Sequence, residues 1–259
     1  MNLSSRQSDI IALIRHQGFQ TIEALASHFQ VTPQTIRRDV NNLCDANILR
    51  RRHGGAELLG VTNASYESRR VTNLQAKRRI GAAVAALIPS HSSVLFGIGT
   101  TPEQVALAMG SQEDLTVITN NLNIATAMSA NGSSRILLPG GTLRLPDRDL
   151  LGPQTEALFR SFRADFGVYG VGGIDLDGTL LDFDRDEVAA REAIRESCRT
   201  SILVADTSKI GRIAPAQGGF LWDADIIVMD SAPSEPLAGL LTASPSRLII
   251  ADAREDQAS

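Results

Sequence analysis

The sequence predicts an α/β protein in two unequal parts, a small helical part ending in a hairpin and a larger part built on a mostly parallel sheet. Three observations carry this. Apolar residues recur at helical spacing through the first 45 residues and give way to a Gly-Gly pair. From residue 80 onward, short apolar runs alternate with helical segments. Charge divides the same way: residues 1–79 hold 12 Lys and Arg against 6 Asp and Glu, whereas residues 80–259 hold 13 against 23. A surplus of six cations joined to a deficit of ten points to a polyanionic partner for the first part alone.

Each element has a local reason. "SSRQSDIIALIRHQG" places Ile10, Leu13 and Ile14 on one helical face and stops at Gly18. "TIEALASHF" follows, with Thr21 as its N-cap and Ile22, Leu25 and Phe29 facing inward. The third helix is "VTPQTIRRDVNNL". Thr32 caps it, and Pro33 suits a first turn where the missing N–H would have no partner anyway. Ile36, Val40 and Leu43 form its core stripe. At 100° per residue, Gln34, Arg38 and Asn41 lie opposite, with Thr35 and Arg37 on the flanks. Arg, Gln, Asn and Thr can match base edges and phosphates, and no acidic pairing partner is read beside the two arginines apart from Asp39. "ILRRRHGGAEL" then reads as a hairpin turning at Gly54-Gly55, with Arg50, Arg51, Arg52 and His53 crowding the entering strand. A helix-turn-helix followed by such a hairpin is a winged helix, whose wing presses cations onto phosphates.

The expected boundaries are a winged helix over 1–58, a linker over 59–79 that becomes helical toward Lys77, and a ligand-binding domain over 80–259. In that last part "SSVLFGIG", "LTVITNN", "SRILLPGG", "FGVYGVGGI", "SILVADTS", "DIIVMDS" and "SRLIIAD" are the strand-like runs. Ligands of open α/β sheets bind at the carboxyl ends of the strands. There "GIGTTPEQ" offers Gly99, Thr100 and Thr101 ahead of a helix start, a phosphate seat or an ordinary turn. Asn120-Asn121 and Gly140-Gly141 repeat the theme at two further strand ends. "ADTSK" adds Lys209, which with Lys77 makes the chain's only lysines against 23 arginines; a compact point charge there suits a phosphate, the alternative being a solvated loop lysine. Between Gly172 and Val188, Asp175, Asp177, Asp182, Asp184, Asp186 and Glu187 form an acidic element whose carboxylates can accept from hydroxyls, chelate a cation or cap turns. Its spacing matches no EF-hand and no histidine joins it, so neither metal nor cofactor is expected. A phosphate seat beside Asp175, Asp182, Asp184 and Glu187 specifies a phosphorylated polyol or sugar.

Cys44 and Cys198 lack metal or redox spacing and read as buried or half-buried thiols of a reducing compartment. No apolar run approaches a membrane span and no signal pattern opens the chain, so the expected location is the cytoplasm.

"VTPQTIRRDVNNL" followed by "LRRRHGGA" resembles the DeoR-type winged helix-turn-helix, and the rest resembles that family's effector domain, similar in fold to ribose-5-phosphate isomerase. The resemblance covers about residues 5–252. It implies a transcriptional repressor that binds double-stranded operator DNA as a homodimer or homotetramer and is released by a sugar or polyol phosphate. Glycerol 3-phosphate is the effector favoured by "GIDLDGTLLDFDRDEV" and "TPEQVA", with fructose 1-phosphate as the alternative. The other reading, an isomerase-like enzyme, loses ground at two places. "GVGG" (170–173) stands where the isomerases carry an acidic catalytic element, and "LDFDRDEV" replaces their Lys-Gly-Gly-Gly-like stretch. Catalytic residues are therefore not expected.

Overall fold

Thr32 and Pro33 do what their chemistry suggests: the Thr32 hydroxyl accepts from the Thr35 N–H, and Pro33 opens helix α3. The structure, a computed structural model, describes residues 3–17, 20–46, 48–52, 54–58, 63, 65–130 and 132–251. The chain divides into two compact units, Met1–Thr62 and Asn63–Ser259.

In the first unit, α1 (Ser5–Gln17), β1 (Gln20–Thr21), α2 (Ile22–His28), α3 (Pro33–Asp45), β2 (Leu49–Arg52) and β3 (Gly55–Leu58) follow in order. Gly18, the expected stop of α1, lies outside the described residues. Ile10, Ile14, Leu25, Ile36, Val40 and Leu43 form one buried cluster. The three-stranded sheet runs β1-β3-β2 and is antiparallel. β1 is a strand the sequence did not announce, because two residues are too few for periodicity. Arg52 pairs with Gly55, so Gly55 belongs to β3 and not to the turn expected at Gly54-Gly55. Gly54, at φ +73°, takes the left-handed position of that turn.

The second unit begins with α4 (Tyr66–Val71) and α5 (Leu74–Ala85). α4 and the first half of α5 lie in the stretch expected to be a linker that becomes helical toward Lys77. Tyr66, Lys77, Ile80 and Val84 are buried, so these helices pack into the unit rather than span a gap. Then come β4 (Ser93–Phe96), α6 (Thr100–Ala108), β5 (Thr116–Thr119), α7 (Leu122–Ser129), β6 (Arg135–Leu137), β7 (Leu143–Arg144), β8 (Asp149–Leu150), α8 (Pro153–Arg160), β9 (Ala164–Tyr169), β10 (Gly173–Ile174), β11 (Thr179–Asp182), α9 (Arg185–Glu196), β12 (Cys198–Ala205), β13 (Ala216–Phe220), β14 (Ile226–Met229), α10 (Leu237–Thr242) and β15 (Arg247–Ile250).

Seven strands form one parallel sheet, order β15-β14-β12-β9-β4-β5-β6. Each of the seven apolar runs supplies one strand. Their side chains alternate between two apolar layers, as a period of two requires. Val94, Phe96, Val168 and Val204 join the layer of α5, α6 and α7, whereas Leu95, Tyr169 and Leu203 join the layer of α8, α9 and α10. A β-carbon on Gly81 of α5 would stand 2.5 Å from the Gln104 carbonyl, so glycine lets α5 and α6 touch backbone to backbone. "FGVYGVGGI" is more than one strand: β9 ends at Tyr169, and β10 leaves for a small antiparallel sheet, order β10-β11-β13. β7 and β8 form a separate hairpin.

Cys198 is buried and Cys44 half-buried, both as free thiols. Among the described residues no helix is long and apolar enough to cross a membrane, and no cluster of three or more His, Cys, Asp or Glu is placed to hold a metal ion.

Candidate functional site

On α3, Gln34, Arg37 and Arg38 are exposed, and Thr35 and Asn41 half-exposed, on the side away from the core stripe. Asp39 faces inward instead: its carboxylate accepts from the Arg6 Nε at 2.7 Å. Arg37 is less solitary than the sequence suggested. Glu23 of α2 stands 3.7 Å from its guanidinium, with both side chains exposed, a pairing too solvated to fix either. Thr21 caps α2 through the Ala24 N–H. In the wing, Arg51 donates to the Asn41 side chain, which ties the hairpin to α3. His53 and the side chains of Arg50 and Arg52 lie outside what the structure describes.

The larger unit reverses its strand order between β4 and β9: β5 and β6 lie to one side, β12, β14 and β15 to the other. The carboxyl ends of two such strands diverge and leave a crevice. A cleft opens there, lined by Gly99, Thr100 and Thr101 after β4, Gly170 to Gly172 after β9, Lys209 after β12, and Asp182 and Glu187 from the acidic element. Gly99 has φ +131°, a conformation that strains any residue with a β-carbon. No side chain caps α6 behind it, so its first N–H groups present their partial positive charge to the cleft.

Cations converge on this point. The Lys77 ammonium donates to the Thr100 hydroxyl at 3.0 Å and to the Arg69 carbonyl. Arg69 is held by Asp147, and Arg212 donates to the Gly172 carbonyl and to the Asn63 side chain, both at 3.0 Å. Asp206, fully buried, accepts from Asn73 and from Ser208. Burial, with Arg212, Arg69 and Lys77 nearby, pulls the Lys209 ammonium down to about 7, against the opposing pull of Asp206. Burial likewise lowers Lys77 and Arg212, with Asp206 again opposing. Four cations meet Asp147 and Asp206 here, and the two further carboxylates within their reach, Glu103 and Asp182, are paired with Arg70 and Arg191. The surplus suits an entering dianion.

The acidic wall is also bonded. Asp182 accepts from the Gly172 N–H at 2.7 Å and the Arg191 Nε at 3.0 Å. Glu187 accepts from Arg144 at 2.7 Å and from the Phe183 N–H. Arg144 also grips Asp149 through two bonds. Burial raises both Asp182 and Glu187, partly offset by Arg191 and by Arg144 respectively.

Several expected residues are elsewhere. Asn120 and Asn121 are fully buried: Asn120 donates to the Leu150 carbonyl, while Asn121 caps α7 and donates to the Asp147 carbonyl. They secure the loop that carries Asp147 and are not among the residues lining the cleft, and the Asn120 Oδ1 is buried without a partner in the protein. Gly140 and Gly141 are exposed and outside the cleft, since the short β6 ends at the edge of the sheet. Asp175 sits exposed in the β10–β11 turn, where it accepts from the Leu176 N–H. Asp184 caps α9 through the Asp186 N–H and points outward. Missed by the sequence reading were Asn63, Tyr66, Arg69, Asp147 and Arg212. Tyr66 donates to Glu103 at 3.2 Å. One signal was available: the chain has two lysines and two tyrosines, and all four meet around this cleft.

A model of the DeoR-like helix-turn-helix domain matches residues 6–61, and one of the DeoR C-terminal sensor domain matches residues 72–231. The chain is 41% identical over 243 residues to the glycerol-3-phosphate regulon repressor of Escherichia coli K12, covering 93% of this chain and 96% of that one. It is 39% identical over 255 residues to the repressor of the same name from Haemophilus influenzae, covering 98% and 99%. Ribose 5-phosphate isomerase A from Neisseria gonorrhoeae aligns over 53% of each chain at a TM-score of 0.39 and 10% identity. The model matches and the two full-length similarities place this chain in the DeoR family of transcriptional regulators.

Proposed function

We propose that this chain is a DNA-binding repressor released by a phosphorylated polyol or sugar, glycerol 3-phosphate before fructose 1-phosphate. The observation that carries the reading is the cation surplus around the uncapped start of α6, where Lys77, Lys209, Arg69 and Arg212 meet Thr100 and Thr101. A phosphate ester dianion satisfies both the cations and the free N–H groups. Asp182 and Glu187 then accept from the ligand's hydroxyls. The "GVGG" loop carries no ionisable side chain toward the ligand, and the family relatives above are named as repressors, so turnover has no support.

The same reading supplies a route for the signal. The first unit ends at Thr62, and the next residues, Asn63, Tyr66 and Arg69, line the cleft. A ligand that draws on Arg69 changes the geometry of the segment from which the DNA-binding unit is carried. Two or four copies of the chain, joined through the larger unit, would read paired half-sites.

The test is release. Operator duplexes enriched from the source genome are bound to fluorescent label and titrated with each phosphate. Glycerol 3-phosphate is expected to weaken operator binding at least tenfold, a coupling of about 1.4 kcal/mol. Release by fructose 1-phosphate alone would move the effector, and release by none would sink the reading. On the DNA side, α3 enters the major groove with Gln34, Thr35 and Arg38 at base edges, while Thr32, Pro33, Asn41 and the wing's Arg51, Arg52 and His53 sit near the backbone. Arg38→Ala is expected to cost about 1–3 kcal/mol on operator and to relax base preference, whereas Arg37→Ala weakens operator and random duplex alike. Equal losses on both duplexes for Arg38→Ala would remove it from base readout.

A further inference from the structure

Helix α4 is fastened to its unit from two sides. On one side the Tyr66 hydroxyl donates to the Glu103 Oε2 at 3.2 Å, and Arg70 stands 3.3 Å from the Glu103 Oε1, which ties α4 to α6. On the other side Arg69 donates to the Asp147 carboxylate, which ties α4 to the β7–β8 hairpin. The second tie belongs to the cleft wall: Arg69 and Asp147 both line it, with Gly99, Thr100 and Thr101. Each of the two side chains is 14% exposed, so this pair is far less solvated than Arg37 with Glu23.

We propose that Asp147 is an internal counter-ion of the phosphate seat: it occupies Arg69 in the ligand-free protein, and the effector's phosphate takes its place. The proposal rests on the phosphate seat described above. Charge gives the first argument. A carboxylate brings one negative charge to Arg69, whereas a phosphate ester dianion brings more and also reaches the uncapped N–H groups of α6 and the hydroxyls of Thr100 and Thr101. The exchange therefore favours the ligand. Geometry gives the second. The Arg144 guanidinium lies 3.6 Å from the Asp147 Oδ2, so the displaced carboxylate has another cation to turn to. Anchoring gives the third. The Asp147 carbonyl accepts from the Asn121 side chain at 3.1 Å and from the Asn123 side chain at 3.3 Å. Those bonds hold the loop by its backbone, and the exchange of side-chain partners costs none of them. The consequence is a threshold: every ligand must first release Arg69 from Asp147, so its apparent affinity is lowered by the fraction of molecules in which that pair is closed. The exchange also passes Arg69 from the hairpin to a ligand seated at α6, which leaves α4 with both of its ties on α6.

The experiment is calorimetric titration of the full-length protein with glycerol 3-phosphate and with inorganic phosphate. Asp147→Asn keeps the size of the side chain and should tighten both ligands by about tenfold, as expected if the pair is open in roughly one molecule in ten. Asp147→Ala should do the same, which guards against a defect peculiar to one replacement. Glu103→Gln removes a charge from the same neighbourhood but leaves Arg69 with Asp147, and its gain should stay within about twofold. Half-release of operator by glycerol 3-phosphate should need about tenfold less ligand in Asp147→Asn. If neither Asp147 variant binds more tightly than wild type, Asp147 is no competitor, although the phosphate seat stands. If Glu103→Gln tightens binding as much as Asp147→Asn, the gain is one of net charge and the exchange at Arg69 is wrong. If wild type binds neither ligand, the seat and the counter-ion fall together.

Discussion

Lys209→Met should abolish release while leaving operator binding intact. Removing one partner of a desolvated charge pair costs about 2–5 kcal/mol, so glycerol 3-phosphate affinity is expected to drop roughly thirtyfold or more. Nothing in the first unit changes, because Lys209 belongs to the second. The ammonium is held at about 7 by burial and by neighbouring cations, and an incoming dianion raises it again. Binding strength from this group is therefore full below about pH 7 and is lost as pH rises through the ligand-bound value, with uptake of a proton in that window. In the free protein the sign is the reverse. A lysine depressed below its ordinary value costs stability as pH falls from about 10.5 toward about 7, and the ligand relieves that cost. Calorimetry at about pH 8 in buffers of different ionisation enthalpy should show the proton in wild type and lose it in Lys209→Met. A variant that releases operator at the wild-type effector concentration would put the phosphate elsewhere.

Leu43→Ala should remove operator binding and spare the effector site. Leu43 is 0% exposed and packs with Ile36, Val40 and Leu49. Emptying that volume costs about 2–5 kcal/mol, and a core of some 60 residues has little more than that to lose. The larger unit has its own two apolar layers and no share in this cluster. Glycerol 3-phosphate affinity should stay within about twofold, and thermal unfolding should show an early transition absent from wild type. Retained operator affinity would contradict the role given to this stripe; loss of effector binding would contradict the separation of the two units' apolar cores.

What the sequence by itself determined was whatever depends on neighbours within a few residues. Thr32, Pro33 and the Ile36–Val40–Leu43 stripe make α3 through capping and periodicity, and each parallel strand shows as an apolar run because both of its faces are buried. Gly99 to Thr101 and Lys209 were legible because a strand end, a glycine and a rare residue type are all local signals. Only the tertiary structure decided which strand ends meet. The order β9-β4 brings the ends of β4 and β9 together and sends Gly140 and Gly141 to an edge, and nothing local to "PGG" encodes that distance. Asn120 and Asn121 have the right chemistry but face a loop some 26 to 30 residues away, so their donors are spent on Leu150 and Asp147. Asp39, read as the one carboxylate near Arg37 and Arg38, bonds instead to Arg6, 33 residues earlier. Tyr66, Arg69 and Lys77 lie in a stretch with weak periodicity, because short helices packed against a cleft edge present polar groups to the ligand side and apolar ones to the core. Their assembly with Lys209 depends on contacts more than a hundred residues apart in the chain, such as Asn73 with Asp206 across 133 residues, and such pairs follow from packing rather than from any pattern along the sequence.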